Sequence, residues 1–288
     1  MIGAKAPAKI NLFFEVGKKR PDGYHDVLSI YQSLDLFEEV MVEPATDWTI
    51  SVSGDISAEQ LQLVPSDESN LVIKAARALA KSVGVDNPQP MHFKLHKRVP
   101  AAGGVAGGSA DAAAALVALN EAWCLGLDSS QLAKVAAELG ADVPFALLGG
   151  TALGTGSGID LQPLPKLGMR QVLLVFSQPG LGTKEVFEVF DKSFPEGDLI
   201  ANRADFQAGF NLDLAGRNSL LVPALELRPD LLELMSLVPG VAKLSGSGPT
   251  LYLLSEDLQE LTGWQKEYQD AGLETLITRF GNQGAELI

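Results

Sequence analysis

Between Pro100 and Ser109 the chain reads Pro-Ala-Ala-Gly-Gly-Val-Ala-Gly-Gly-Ser, and an alanine-rich run follows from Ala110 to Leu119. Four glycines within six positions leave backbone N–H groups open to an anion where a Cβ would obstruct them. Ser109 is the expected N-cap of a helix that carries Ala112, Leu116, Leu119 and Trp123 on one face. The positive end of such a helix would reinforce the loop amides, which suits a di- or triphosphate. Read alone, the same residues also fit a glycine-rich turn ahead of a core helix. Two familiar nucleotide motifs fail on spacing. Gly103 and Gly108 have the separation of a Walker loop, but Ser109 and Ala110 stand where Lys and Ser/Thr are needed. The dinucleotide fingerprint is missing here and in the glycine-rich stretches around Gly154 and Gly246. A nucleotide site of a different type is favoured.

Other segments carry chemically capable side chains. Lys9 and Asn11 share one face of an alternating segment, Ala8 to Val16, with Ile10, Leu12, Phe14 and Val16 on the other. A cation and an amide there suit a substrate hydroxyl or a transferring phosphate, and equally an ordinary solvent-facing pair. Gly140-Ala-Asp-Val-Pro-Phe145 sets Asp142 in a junction between helices, where an N-cap or turn role accounts for it by itself. Leu244-Ser-Gly-Ser-Gly-Pro-Thr250 is a second glycine-rich loop, leading into a strand. His92 and His96 lie on one strand face about 13 Å apart, too far to share a metal ion. Cys124 is the only cysteine, which excludes an intramolecular disulfide or a cysteine metal cluster, and a packed core thiol is expected.

These residues must be held by a fold of ordinary size. The chain has 288 residues, 46% hydrophobic and 20% charged, enough to bury a substantial core and to form two domains. A formal charge of −14 argues against nucleic acid or an anionic membrane as partner, since both select clustered Lys and Arg. Asn11 and Glu15 interrupt any secretory apolar segment near the start, and no run approaches a spanning helix, so a cytoplasmic location is expected. Arg20-Pro-Asp-Gly23 reads as a type I turn before an extended segment from Tyr24. Strands are predicted at 40–43, 49–52, 91–97, 171–176, 251–254 and 274–278. Helices are predicted at about 70–83, 130–139, 184–192, 229–237 and 257–271. The turn-rich stretch from Gly149 to Gly158 separates two runs of mixed strands and helices, which suggests two α+β domains divided near residue 160.

Taken in order, Ala6-Pro-Ala-Lys-Ile-Asn-Leu12, Arg20-Pro-Asp-Gly-Tyr-His25, the Pro100–Ser109 loop, Gly140–Phe145 and Ser245-Gly-Ser-Gly-Pro-Thr250 resemble the galactokinase, homoserine, mevalonate and phosphomevalonate kinase superfamily. Within it, the resemblance is to the branch of non-mevalonate isoprenoid precursor synthesis, and it covers nearly the whole chain. It implies an α+β, two-domain small-metabolite kinase fold. Residues 1–160 would form an N-terminal β/α domain with a left-handed crossover that binds ATP and substrate, and residues 161–288 a C-terminal ferredoxin-like α/β sandwich. The implied reaction is ATP-dependent phosphorylation of the 2-hydroxyl of 4-diphosphocytidyl-2-C-methyl-D-erythritol, with Mg2+ and with metal ligands and oligomeric state left unassigned. Asp142 would take the hydroxyl proton while Lys9 orients the hydroxyl and stabilises developing charge. The nucleotide segment would comprise Pro100, Ala101, Ala102, Gly103, Gly104, Val105, Ala106, Gly107, Gly108, Ser109 and Ala110. Asn11, Tyr24, His25, Thr183 and Phe187 would contact substrate, Tyr24 and Phe187 sandwiching the cytosine and His25 meeting its polar edge. Thr183 and Phe187 also fit a helix cap and a core aromatic. Ser245, Gly246, Ser247 and Gly248 would form a third loop of the site. The chain departs from the superfamily pattern at Ala102, Ala106 and Ala110, which replace two glycines and a second serine and so narrow the approach to phosphate and remove a hydroxyl. Tyr24-His25 argues against a homoserine or mevalonate kinase. The joint presence of Lys9 and Asp142 favours an enzyme over a silent nucleotide-binding regulator.

Overall fold

The computed structural model describes residues 1–101, 103–206 and 208–288. The strands are β1 (Ile2–Lys19), β2 (His25–Pro44), β3 (Thr49–Gly54), β4 (Met91–Lys97), β5 (Thr151–Thr155), β6 (Asp160–Pro163), β7 (Gln171–Phe176), β8 (Lys243–Leu244), β9 (Leu251–Ser255), β10 (Glu274–Arg279) and β11 (Glu286–Leu287). The α-helices are α1 (Ala58–Gln62), α2 (Leu71–Ser82), α3 (Gly107–Ala122), α4 (Ser129–Leu139), α5 (Asp142–Leu148), α6 (Thr183–Ser193), α7 (Leu221–Leu227), α8 (Asp230–Ser236) and α9 (Leu258–Asp270).

A long hairpin, β1 and β2, organises the first sheet. Its turn closes where Gly23, at φ +87°, donates its N–H to the Arg20 carbonyl at 3.0 Å. Both strands run longer than their alternation predicted, because packing on both faces extends them: Lys9, Asn11 and Glu15 are all buried rather than solvent-facing. The sheet order is β11-β1-β2-β4-β3, and β5 and β6 branch from the other end of β2. β3 and β4 pair in parallel, joined by the crossover that contains α1 and α2. The second sheet has the order β10-β7-β9-β8 with antiparallel pairing throughout, and its chain order of strand, helices, two strands, helix and strand is the expected ferredoxin-like arrangement.

The alanine run explains how α3 can lie at the centre of the first half. Residues 110 to 116 are all buried, so the helix is covered nearly all round and not on one face only; small side chains let the sheet, α2, α4 and α5 approach it together. α2 starts at Asn70, whose side chain caps it by accepting the Val72 N–H, and ends in a Schellman turn at Gly84, φ +78°. α3 ends the same way, but with Cys124 in the left-handed position at φ +53°. That geometry turns Cys124 into solvent, which corrects the expected core thiol.

Two further apolar clusters bind the sheets to each other. Ile10 and Leu12 of β1 pack with Val172, Leu174 and Tyr252, while Phe14 and Val16 join Val175, Phe190 and Leu253. Alternate residues of β7 thus face the first sheet and its own helices. The division expected at residue 160 falls inside β6, which pairs with β5, and β11 returns to pair with β1. β5 and β6 themselves lie in or beside the stretch read as turns. Gly154 hides a strand there because an added Cβ would meet the Tyr31 ring at 2.5 Å, so this strand position has to be glycine.

Candidate active site

Lys9 stands at the crossing point of three loops. Register shifts in the β1–β2 pairing flank it on both sides, between Pro7 and Lys9 and between Asn11 and Phe13. Its Nζ donates to Asn11 Oδ1 at 2.6 Å and to the Gly104 carbonyl at 3.3 Å, and it lies 3.5 Å from Asp142 Oδ2. Asn11 is itself fixed, because its Nδ2 donates to Ser29 Oγ at 2.8 Å and Ser29 donates to the Phe13 carbonyl at 3.1 Å. That chain leaves only the amide oxygen to face Lys9. Asp142 opens α5 but makes no side-chain cap bond, so the capping role is unfilled and the carboxylate is free to pair with Lys9. Stacking of Tyr31 on Phe145, 5.0 Å between centroids, ties α5 to β2 beside this pair. Burial first, and the Asp142 carboxylate second, push the Tyr31 phenol above its ordinary pKa.

The first glycine loop packs directly on the third. An added Cβ at Gly104, φ +78°, would collide with the Ser245 carbonyl and lie 3.0 Å from that of Gly248. Ser245 Oγ donates to the Gly104 carbonyl at 2.9 Å, and Thr250 N–H donates to Gly103 at 3.3 Å. Gly246, φ +58°, covers the Lys9–Asn11 contact, where a Cβ would lie 3.2 Å from Asn11 Oδ1. Asn218 holds that loop through Nδ2 bonds to the Gly246 and Leu244 carbonyls at 2.8 and 3.1 Å. The loop enters α3 earlier than expected: the N-cap is Ala106, φ +62°, and Ser109 is the third helical residue. The two left-handed residues, Gly104 and Ala106, bring the chain into the helix before Ser109. No side chain caps the helix, so the first-turn N–H groups of Gly107, Gly108 and Ser109 have neither a capping nor an intrahelical acceptor, and these three residues line the cavity. Ala102 lies outside the described residues. Val105 and Ala110 are buried in cores; the Val105 carbonyl accepts the Lys9 N–H, and the Ala110 amide is taken by Ala106.

One cavity of about 720 Å³ brings Lys9, Asn11, Tyr24, His25, Asp142, Thr183, Phe187, Gly246 and Ser247 together with Gly103, Gly104 and residues 106 to 109. At its far end Tyr24 is 65% exposed at the rim, whereas His25 is buried and its ring lies 5.1 Å from that of Phe187. His25 Nε2 is 2.6 Å from Asp191 Oδ1, and Lys19 Nζ is 2.5 Å from Asp191 Oδ2. Desolvation is the largest single influence on Asp191 and works against its charge, but the hydrogen bonds and charges of Lys19 and His25 together outweigh it and hold the carboxyl below its usual range. Thr183 begins α6 and meets Ser247 Oγ at 3.1 Å, while Gly182 is the cap. Tyr31, Asp191 and Asn218 belong to this site and were not legible in sequence; each acts through a partner that is distant along the chain.

Comparison with known proteins decides the family. A model of the GHMP kinases N terminal domain matches residues 70–150. A 4-diphosphocytidyl-2-C-methyl-D-erythritol kinase of Nocardia farcinica is 42% identical over 283 residues, covering 93% of this chain and 90% of that one. This chain belongs to the 4-diphosphocytidyl-2-C-methyl-D-erythritol kinases. A second member of that kinase family, from Thermobifida fusca, is 40% identical over 271 residues, 88% of this chain and 87% of its own. A crystal structure of 4-(cytidine 5'-diphospho)-2C-methyl-D-erythritol kinase superimposes with a TM-score of 0.72 at 28% identity, over 97% of this chain and 99% of that one. The fold extends beyond the family: L. major mevalonate kinase in complex with R-mevalonate has a TM-score of 0.68 at 15% identity, over 97% and 96% of the two chains.

Proposed function

We propose that this enzyme, an ATP-dependent small-molecule kinase, phosphorylates the 2-hydroxyl of 4-diphosphocytidyl-2-C-methyl-D-erythritol in non-mevalonate isoprenoid precursor synthesis. Membership of the family supports the reaction, and the pairing of Lys9 with Asp142 under two interlocked glycine loops carries the assignment of residues. In this reading Asp142 accepts the proton of the substrate hydroxyl as its oxygen attacks the terminal phosphorus of ATP and the bond to the departing ADP oxygen breaks. Lys9 holds the attacking oxygen and the transferring group and spreads the developing charge over its ammonium. The amides of Gly107, Gly108 and Ser109 and the positive end of α3 bind the phosphates, with Gly103, Gly104 and Ala106 shaping the approach. Asn11 positions Lys9. Tyr24, His25, Phe187 and Thr183 hold the diphosphocytidyl end of the substrate, the aromatic rings suiting a pyrimidine face.

Among the described residues no group of three or more His, Cys, Asp or Glu is arranged to hold a metal ion. Mg2+ needs no such group in a kinase, since phosphate oxygens and water supply most of its ligands. The Ser109 hydroxyl on the cavity wall fits that requirement and would be its protein ligand; bound there, Mg2+ would neutralise phosphate charge. Residues 1–160 and 161–288 are proposed as the kinase and ferredoxin-like halves, and the cytoplasm as the location. No described helix is long and apolar enough to cross a membrane.

A coupled ADP-release assay with diphosphocytidyl-methylerythritol, homoserine and mevalonate tests the substrate. Turnover of the cytidyl compound alone is expected. Turnover of either of the others without it would overturn the reading.

A further inference from the structure

Three charged side chains that the reaction does not use lie directly beneath the nucleotide loop. Lys97, the last residue of β4, is 2% exposed; Glu38 of β2 is 1% and Asp111 of α3 is 3% exposed. Lys97 Nζ lies 2.5 Å from Asp111 Oδ2 and 3.0 Å from Glu38 Oε2. Glu38 Oε1 also accepts the N–H groups of Arg98 and Val99 at 3.2 and 3.0 Å, the two residues that lead into the loop. Gly107, the first residue of α3, rests on this cluster: an added Cβ would lie 3.4 Å from Lys97 Nζ and 3.5 Å from Glu38 Oε1. Asp111 Oδ1 is buried without a hydrogen-bond partner, so the ammonium is the main compensation for that carboxylate.

Resting on the reading that the loop and the start of α3 bind ATP phosphates, we propose that Lys97 is a positioning residue for the nucleotide: it clamps the strand end that enters the loop to the first turns of the helix that leaves it. The geometry gives the clamp two arms. Through Glu38 it fixes the amides of residues 98 and 99, and through Asp111 it fixes the rotation and height of α3, so the N–H groups of residues 107 to 109 keep one spacing. Without the ammonium, two buried carboxylates would face each other under a site meant for anions, and both the spacing and the local potential would turn against phosphate. The substrate hydroxyl end is built on β1 and α5, and none of Lys9, Asn11 and Asp142 shares a hydrogen bond or ion pair with Lys97, Glu38 or Asp111.

The test measures Kd for a non-hydrolysable ATP analogue, KM for each substrate, and thermal stability in Lys97→Met, Asp111→Asn and Gly108→Glu. Asp111→Asn keeps side-chain shape and stands in where Lys97→Met fails to fold. Gly108→Glu projects a carboxylate into the loop at a position with no contact nearer than 3.8 Å. Lys97→Met is expected to raise the analogue Kd and the KM for ATP roughly tenfold, and Asp111→Asn to raise them severalfold, while KM for the cytidyl substrate changes less than about twofold. A purely structural cluster would instead lower stability and leave nucleotide Kd unchanged, or raise both KM values together; either result in both clamp variants, with Gly108→Glu still abolishing nucleotide binding, overturns the inference alone. Nucleotide binding that survives Gly108→Glu overturns the loop reading and this inference with it.

Discussion

Asp142 is tied to Lys9 and to no capping partner, so its carboxylate has one evident task. Asp142→Asn retains the shape and removes the proposed proton acceptor. We expect kcat to fall on the order of 10²–10⁴-fold with KM values little changed, read from steady-state kinetics of protein with a wild-type melting curve. A near-wild-type kcat would return Asp142 to a structural part. Ala106 makes a different prediction. It holds a left-handed conformation at φ +62° that glycine adopts freely, and it lines the cavity. Ala106→Gly should therefore stabilise the protein by about 1 kcal/mol in denaturant unfolding, since alanine is the strained residue at such a position. Ala110, the other replacement beside it, is buried in the first core, so a serine hydroxyl there would begin its life away from water.

Elements with strong local signals were legible: β7 at 171–176, α2 within the predicted span 70–83, and α9 all follow from periodicity and end residues. α1, α7, β5 and β6 were not, because they are short and owe their existence to neighbours. Lys9, Asp142 and the glycine loops were visible as residue types at motif spacing. The burial of Lys9 and Asn11 was not, since a strand covered on both faces by distant segments has the same alternation as one half exposed. Nor was the charged cluster at the junction of β2, β4 and α3 visible, because its members are 14 to 73 positions apart along the chain. Within that cluster, burial pushes Glu38 up to about 7 and also raises Asp111, while Lys97 draws both down; the Lys97 ammonium is opposed by burial, yet the two carboxylates outweigh it and raise its pKa. The sign follows from proton counts. Folded protein holds a proton on Glu38 that the unfolded chain has lost between about pH 4.5 and about pH 7, so this carboxyl's contribution to stability is lost as pH rises through that window. Unfolding free energies of wild type and Glu38→Gln across pH 4.5–7.5 should diverge in slope by up to about one proton. Parallel curves would show that Glu38 is ionised throughout.

The two sheets share their cores: Ile10 and Leu12 belong with Val172 and Leu174, and Phe14 with Leu253. Residues 1–160 expressed alone would expose those faces and lose β11, so the fragment should bind a hydrophobic dye and lack sharp near-ultraviolet signals. For the whole chain, single-tryptophan variants retaining Trp48 in the first sheet's core or Trp264 in the second sheet's helical layer should report one coincident unfolding transition. Separate midpoints would mean that the halves are independently stable. The cavity between them also runs unbroken from the Tyr24–His25 rim to the first turn of α3. In the proposed reading substrate and nucleotide take opposite ends of this one chamber, so a single molecule can replace both. A molecule with a pyrimidine-like ring joined through a spacer to a phosphate-bearing tail would make its second contact at millimolar effective concentration, and so should outbind either fragment by a factor on the order of 10²–10⁴ if the spacer matches the span past Lys9.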